Sequence, residues 1–513
     1  MEPDVGTDFG GPLQVSPDAQ TIFASGVDNK VIQLKKIAAD EEGGHGSWVL
    51  AGRAREHTHD VRALALVSNV VLVSGGVDSN MIVYPASTFG QAGTSHRKIP
   101  PFPQHNVITL APAAGRLLYQ YNRTIKIWQL GASDTEPDDP ADPAIEGFGP
   151  SAAAGYVPVG KLPVSTAPQL LVEMRTNTAD NIIASSISAD GARMAYSSMG
   201  GTRVFRIKTS SDGTCAIARL KGLSAELRVA HTMAFTKDGS MLVLATTDEY
   251  LQIVDTRTPE LIATIKVPMS KTEQRNGCLL AISTDGVWIA VAYSARFHIY
   301  NMDTMQHCGS TPLFAAVPSA AAFLPGSAKM VVTCVDNQIS IYNVAKNVQT
   351  EWSKHHSDAL PLQWMHKKEK TVSIAFDPSK TTTAFLHDHA GIYVVDFAKQ
   401  LPKRSAGLFQ IGGHQKRGGA QKLKDSQRAQ KLKKNARKGK KGKNKKGKGK
   451  FTPPTSTSTE DDVTASNFKL IKRYQPLLFL GFAESEKLVV VERPWLSVMQ
   501  NLPPPLFRQK YGV

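Results

Sequence analysis

Short turn sequences recur at a nearly constant interval along the chain, and each stands between two apolar segments. These turns are Ser188–Gly191, Thr236–Gly239, Ser283–Gly286 and Leu324–Ser327, with related copies at Ser16–Ala19 and Asp377–Lys380. The steps between the first four are 48, 47 and 41 residues. A period of about 40–45 residues with four strands per unit is typical of β-propeller blades. The repeat therefore predicts an all-β chain of radial blades.

The segments beside these turns have the length and patterning of half-buried strands. Met241–Ala245 is followed by Leu251–Asp255, and Trp288–Ala292 is followed by Phe297–Tyr300. Asp-Gly and Pro-Gly sequences supply the turn conformations between such strands. No amphipathic helical pattern of 12 or more residues interrupts the series. The patterning therefore agrees with the period in favouring a propeller.

Nine candidate units begin near residues 16, 57, 105, 180, 231, 276, 318, 370 and 474. Because a propeller usually has about four to eight blades, nine units predict one complete propeller plus the last blades of a preceding one. The predicted organisation is an irregular N-terminus at 1–15, final blades of a first propeller at 16–95 and a second propeller at 100–513. The boundary lies near 90–104, with a position near 55 as the alternative. The chain is then expected to be a fragment or a truncated gene model of a longer two-propeller protein.

Two segments interrupt the blade pattern. Residues 132–155 are rich in Asp, Pro, Ala and Gly and are predicted to be a flexible acidic loop. Residues 403–466 are predicted to be a long disordered insertion within the last blade region, because they contain a lysine-rich tract with almost nothing to bury. From 403 to 450 the chain has 19 Lys and Arg and one acidic residue, whereas the rest has 41 basic and 43 acidic residues. The net charge of +16 therefore belongs to this insertion.

A mobile polycation of this kind is suited to nucleic-acid phosphates. Phe409 is the one aromatic residue between 403 and 450, so base stacking is not supported and contact with phosphates is expected. A solubilising or nuclear-targeting loop is the alternative. Gly442–Gly449 nearly matches a phosphate-binding loop but lacks its Ser or Thr and the preceding strand. The predicted RNA-contact residues are Lys431, Lys433, Lys434, Arg437, Lys438, Lys440, Lys441, Lys443, Lys445, Lys446, Lys448 and Lys450.

No residue constellation in the sequence predicts catalysis, a metal site or a cofactor. The four cysteines form no CxxC pair, which fits a reducing compartment. His355–Asp358 places His, Ser and Asp side by side and is expected to be a surface loop, because catalytic triads are built from separated segments. His387–His389 is expected to be a blade turn rather than a metal site. Apolar runs are of strand length, well short of the roughly 18 residues that span a membrane. The chain is therefore predicted not to associate with a membrane and not to act on a small-molecule substrate.

The unit that begins at His57 resembles a WD40 blade, in which a loop His and a turn Asp share a hydrogen-bond network. His57 and Asp78 match those positions and are predicted to form a structural blade network. The C-terminal sequences Leu488–Trp495 and Leu502–Gly512 are similar to the C-terminal signature of the cirhin (Utp-four) family. Glu351–Pro361 and the lysine-rich insertion resemble the same family, and the similarity extends over roughly residues 16–513.

This resemblance implies a fold and a function. Members of the family are non-catalytic tandem WD40 propellers of the nucleus and nucleolus. They belong to the UtpA (t-UTP) subcomplex of the small-subunit processome, with other WD40 and helical-repeat subunits as partners. That subcomplex binds the 5′ external transcribed spacer of pre-ribosomal RNA, joins the U-three snoRNP assembly and supports 18S maturation. The alternative is a propeller used for protein assembly alone, with the lysine tract serving nuclear or nucleolar targeting.

Overall fold

A computed structural model describes most of the chain outside the two insertions. The described residues are 11–26, 28–37, 47–91, 96–103, 105–132, 165–177, 179–210, 215–223, 226–275, 277–356, 360–401, 410–411, 467–472, 474, 476–483, 487–493 and 500. Within them the chain forms nine sheets and two short helices. No helix among them is long and apolar enough to cross a membrane.

The first two sheets are antiparallel meanders that pack on each other. The first contains β1 (Leu13–Val15), β2 (Thr21–Ser25), β3 (Val31–Lys36) and β4 (Trp48–Ala54), and the second contains β5 (Val61–Val67), β6 (Val71–Gly76), β7 (Met81–Pro85) and β8 (Arg97–Ile99). Phe23 and Val31 of the first sheet are buried against Leu72 and Ile82 of the second. We call these two sheets the leading blades.

The other seven sheets follow the same meander and form a ring. Ring blade one contains β9 (Ile108–Ala111), β10 (Arg116–Gln120), β11 (Thr124–Gln129) and β12 (Gln169–Arg175), and blade two contains β13 (Ile182–Ile187), β14 (Arg193–Ser198), β15 (Gly201–Thr209) and β16 (Cys215–Arg219). Blade three contains β17 (Ala230–Phe235), β18 (Met241–Thr246), β19 (Tyr250–Asp255) and β20 (Glu260–Lys266). Blade four contains β21 (Leu279–Ile282), β22 (Trp288–Ala292), β23 (His298–Asn301) and β24 (Gln306–Ser310).

Ring blades five to seven complete the series and include the two helices. Blade five is β25 (Pro318–Phe323), β26 (Lys329–Cys334), β27 (Ile339–Asn343) and β28 (Val348–Gln349), and is followed by α1 (Glu351–His356) and α2 (Leu362–Met365). Blade six is β29 (Ser373–Phe376), β30 (Thr383–Asp388), β31 (Gly391–Asp396), β32 (Gln410–Ile411) and β33 (Phe468–Ile471), and blade seven has β34 (Leu477–Phe482) and β35 (Leu488–Glu492) among the described residues. In blade six, β33 pairs with β31 and carries β32 parallel to it.

The innermost strands of the ring blades contact one another in sequence, and β34 of blade seven returns to β9 of blade one. Phe479 of β34 packs with Ile108 and Leu117 of blade one, and all three side chains are buried. Elsewhere the blades meet through similar apolar faces; Val243 of blade three, for example, packs with Ile289 of blade four. Full burial of one such aliphatic side chain contributes about 1.5–3 kcal/mol. Blade packing therefore closes the ring as well as stabilising each sheet.

The first-to-second turns of successive ring blades lie side by side at one end of the ring. The Ala113 amide donates to the Ala189 carbonyl at 3.1 Å, and the Gly326 amide donates to Thr284 Oγ1 at 2.9 Å. In an antiparallel meander the third-to-fourth connection lies at this same end. We call this end the insertion face and the opposite end the channel mouth. Residues 133–164 connect β11 to β12, and residues 402–466 lie between β31 and β33, so both insertions start and finish at the insertion face.

The prediction of an all-β propeller is confirmed, and the nine sheets begin close to the nine predicted starts. The predicted domain boundary near 90–104 falls around β8 and before β9, and its assignment as a boundary stays a prediction. The predicted acidic loop at 132–155 lies outside the described residues beyond Ala132, and so does nearly all of the predicted insertion at 403–466.

Three details differ from the sequence prediction. Residues 13–15 were expected to be irregular but form β1, because they pair with Ile22–Ala24 of β2. The lysine-rich insertion belongs to blade six and not to the last blade, because β33 completes blade six after it. Residues 355–356 end a helix instead of lying in a loop, and His355 Nδ1 and His356 Nδ1 bond to the carbonyls of Glu351 and Trp352 at 2.8 Å. A six-residue helix is too short to show a helical period in the sequence.

Candidate functional site

His57 and Asp78 lie together in a buried polar network of the second leading blade. His57 Nδ1 is 3.0 Å from Asp78 Oδ1, and His57 Nε2 is 2.8 Å from Ser74 Oγ. The Thr58 amide donates to Asp78 Oδ2 at 2.9 Å. Burial alone would raise the pKa of Asp78, but the hydrogen bonds from His57 and Thr58 outweigh it and hold that pKa well below its usual value. These hydrogen bonds tie the connection before β5 to the turn after β6, and both side chains are fully buried.

The same arrangement recurs in blade six with Lys367 in place of the histidine. Lys367 and Asp388 are 21 residues apart, as His57 and Asp78 are. Lys367 Nζ is 3.4 Å from Asp388 Oδ2, and it donates to the Glu369 carbonyl at 2.8 Å. Burial lowers the pKa of Lys367 to about 8 in spite of the attraction of Asp388. Sequence reasoning missed this pair because it searched for the loop histidine and not for the spacing.

The segment that contains Lys367 also joins blade six to the leading blades. Arg97 Nη1 donates to the Lys367 carbonyl at 3.2 Å, and the Lys98 amide donates to the Lys368 carbonyl at 3.3 Å. Lys368 Nζ is 3.1 Å from Glu56 Oε2, the carboxylate that also pairs with His96 at 2.8 Å. One short connection therefore holds both its own blade and a strand of the leading blades.

The histidines of the two clusters noted in the sequence make contacts that hold the fold together. His387 is buried in β30, and His389 Nδ1 bonds to the Leu477 carbonyl at 2.7 Å, which joins blade six to blade seven. His356 stacks on Trp352 at a centroid distance of 4.7 Å, while Ser357 and Asp358 lie outside the described residues. Within the described part of the chain, no three His, Cys, Asp or Glu side chains are grouped so as to hold a metal ion.

Two hydrogen-bonded closures hold the ends of the insertions at the insertion face. Asn467, just after the lysine-rich insertion, accepts from the Asp396 amide at 3.1 Å and donates to the Gln400 carbonyl at 2.9 Å. At the acidic insertion, the Ala132 amide donates to Thr166 Oγ1 at 2.7 Å, and the Ser165 amide donates to the Ala132 carbonyl at 2.9 Å. The propeller therefore sets where each insertion leaves its surface.

A group of lysines surrounds the base of the lysine-rich insertion. Lys399 precedes the insertion, Lys469 follows it in β33, and Lys380 lies in the first-to-second turn of the same blade. Burial lowers the pKa of Lys469, and the positive charges of Lys380 and Lys399 lower it further, so both of these ammonium groups lie near Lys469. All twelve predicted RNA-contact residues, from Lys431 to Lys450, lie outside the described residues.

No protein-family model matches the chain. Among solved structures, one match is a chain in the crystal structure of the mitotic checkpoint complex, with a TM-score of 0.38 and 12% sequence identity. The superposition covers 57% of the present chain and 76% of the matched chain. So low a score carries no argument, and the propeller fold rests on the sheets and on their closure into a ring.

Three relatives align with nearly the whole chain. The U3 small nucleolar RNA-associated protein 4 homologs of Mus musculus and Homo sapiens are 25% and 26% identical over 516 and 515 residues, and each alignment covers 98% of this chain and 65% of the relative. U3 small nucleolar RNA-associated protein 4 of Schizosaccharomyces pombe is 25% identical over 530 residues, with 98% and 64% covered. The chain thus spans about 65% of the length of these relatives. It is a homologue of the U3 small nucleolar RNA-associated protein 4 proteins, and its predicted resemblance to the cirhin (Utp-four) family is confirmed.

Proposed function

We propose that the protein is a non-catalytic scaffold of the small-subunit processome that acts in early processing of pre-ribosomal RNA toward 18S RNA. The observation that carries the proposal is the similarity over 98% of the chain to proteins named for association with U3 small nucleolar RNA. A rigid ring of sheets suits a scaffold, because it presents many turns without moving parts. The place of action is then the nucleolus, and the partners are other processome subunits.

In this proposal the lysine-rich insertion holds RNA phosphates. Its 12 predicted contact residues lie within 20 residues of sequence, so one short segment can neutralise several phosphates. Lys380, Lys399 and Lys469 support the same assignment, because they extend positive charge from the insertion onto the surface of blade six. The 5′ external transcribed spacer is the proposed RNA, and contact with it is expected to be strongly dependent on salt and nearly independent of sequence.

The test is binding to spacer RNA across a series of salt concentrations. The full chain is compared with a variant in which residues 416–450 are replaced by a Gly/Ser segment of equal length. The matched control replaces residues 452–459, which lie in the same insertion and contain no lysine. We expect the first replacement to remove most of the salt dependence, since each phosphate contact adds about 0.7 to the slope of log affinity against log salt for single strands.

Two other outcomes separate the alternatives. If the variant without residues 416–450 binds RNA as well as the full chain, the tract serves targeting, and nucleolar localisation of the variant should fail instead. If no form binds RNA, the protein is an assembly platform and its partners supply the RNA contacts.

A further inference from the structure

A cavity of about 530 Å³ lies along the axis of the ring. Its walls come from the innermost strands of ring blades one to six, and its opening is surrounded by the connections that precede those strands. Hydroxyl groups are contributed by all six of these blades, through Thr109, Ser185, Thr232, Ser294, Ser319 and Ser373. Ser185 donates its hydroxyl proton to Gln120 Oε1 at 2.8 Å, and Ser319 donates to the Thr333 carbonyl at 3.2 Å. The oxygens of these hydroxyl groups can still accept hydrogen bonds from an occupant.

Bulges in the innermost strands direct selected side chains into this cavity. The register of β13, β17 and β25 shifts by one residue near its start, which leaves Ile183, His231 and Ser319 as the extra residues. All three line the cavity. A β-bulge turns a side chain away from the regular pleat and is frequent beside binding sites. The recurrence of the bulge in blades two, three and five therefore shapes the channel mouth.

Basic residues line the cavity and no acidic residue does so among the described residues. Lys370, His105 and His231 belong to the lining, and burial together with the charge of Lys370 lowers the pKa of His105, so the positive charge of the lining comes from Lys370. No acidic side chain among the described residues pairs with Lys370, and burial lowers its pKa. Glu369, its neighbour in sequence, does not cancel this charge fully, because burial and Asp388 raise the pKa of Glu369 to about 7. Glu273, which accepts from the lining residue Ser294 at 3.0 Å, is itself paired with Arg296 at 3.0 Å.

We propose that the channel mouth binds an extended acidic peptide segment of a partner protein, with a carboxylate of the peptide paired to Lys370 and its backbone bonded to hydroxyls of the wall. Nucleic acid fits less well, because no Phe, Tyr or Trp of the described residues lines the cavity, and bases would find no aromatic ring among them to stack on. The proposal names the chemistry of a partner and thus rests on the scaffold function proposed above. It is independent of RNA binding by the lysine-rich insertion, which leaves from the opposite face.

The test uses the full chain and a fluorescent twelve-residue peptide of alternating Glu and Ala that contains a benzophenone amino acid. Lys370→Gln is compared with the matched control Lys237→Gln, which removes an exposed lysine from a first-to-second turn at the insertion face. Both variants change the net charge equally, so general attraction to the basic insertion is the same in each. We expect Lys370→Gln to weaken binding roughly tenfold or more, as for a charged hydrogen bond, and Lys237→Gln to leave it unchanged within about twofold.

Photo-crosslinking provides a second measurement that does not depend on a variant. Benzophenone reacts readily with methionine, so the wild-type protein should be labelled at or beside Met233 in the cavity wall. Labelling confined to residues 403–466, together with equal affinities of the two variants, would overturn the proposal. It would also be wrong if a twelve-nucleotide oligouridine displaced the peptide from Met233, since the site would then hold nucleic acid. Neither result would alter the salt-series test of the lysine-rich insertion.

Discussion

Individual side chains join the connection that enters a blade to the central turn of that blade, and the chemistry of the pair varies. The pair is His57 with Asp78 in the second leading blade and Lys367 with Asp388 in blade six. In blade three it is the exposed pair Arg228 with Asp248. In each case the basic side chain comes from the connection and the carboxylate from the turn. The position therefore needs a positive or hydrogen-bonding group more than it needs histidine.

Removal of the Lys367 charge is expected to destabilise the folded protein. Lys367→Met leaves Asp388 buried without a counter-charge, which should lower the free energy of unfolding by about 3–5 kcal/mol in chemical denaturation. The double variant Lys367→Met with Asp388→Leu should recover a large part of this loss, because both charges are then absent. Lys399→Met serves as the control: its side chain is 64% exposed and pairs loosely with Asp396, so a change below about 1 kcal/mol is expected. Equal losses in the two single variants would contradict the importance of burial.

The hydrogen-bond network of Asp78 should make the free energy of unfolding depend on pH. The pKa of Asp78 is lower in the folded protein than its ordinary value near 3.8, so its contribution is complete above that value and is lost as the pH falls toward the folded-state pKa. At pH 7, Asp78→Asn should therefore destabilise the protein by about 1.5–3 kcal/mol.

The difference from the wild type should stay constant down to about pH 5 and shrink below about pH 4. Denaturant unfolding at several pH values measures it, with the exposed turn residue Asp303 as the control through Asp303→Asn. A difference that grows as the pH falls would contradict the assigned direction of the pKa change.

At the scale of strands and connections, the sequence predicted what local patterning controls. The Asp-Gly turns and the strands beside them appear where expected, because turn chemistry and apolar patterning act over a few residues. It missed β1 and α1, because elements of three and six residues are too short to show a strand or helix period in the sequence. It also missed the cavity wall, because a bulge at His231 or Ser319 is set by the register between strands and not by residue type.

For the molecule as a whole, closure of the ring depends on contacts that no local pattern reveals. Phe479 meets Ile108 and Leu117 although most of the chain separates them in sequence. Phe479→Ala should therefore lower the free energy of unfolding by about 3–5 kcal/mol, through lost burial and the cavity that remains. Hydrogen exchange should rise in both β9 and β34, because either strand loses its neighbour. Leu313→Ala, at a side chain that is 58% exposed, should have little effect; faster exchange in β34 alone would show that the ring is not held at this seam.

Because both insertions are attached at one end of the ring, the insertion face and the channel mouth can bind different ligands. Whatever the insertions bind is tethered at one end, and a ligand of the channel mouth is bound at the other, so the two do not compete for the same surface. When both ligands belong to one large particle, capture at one end raises the effective concentration for capture at the other. The body of the propeller then acts as a rigid spacer, and slow release of the protein from such a particle follows from avidity instead of from one strong contact.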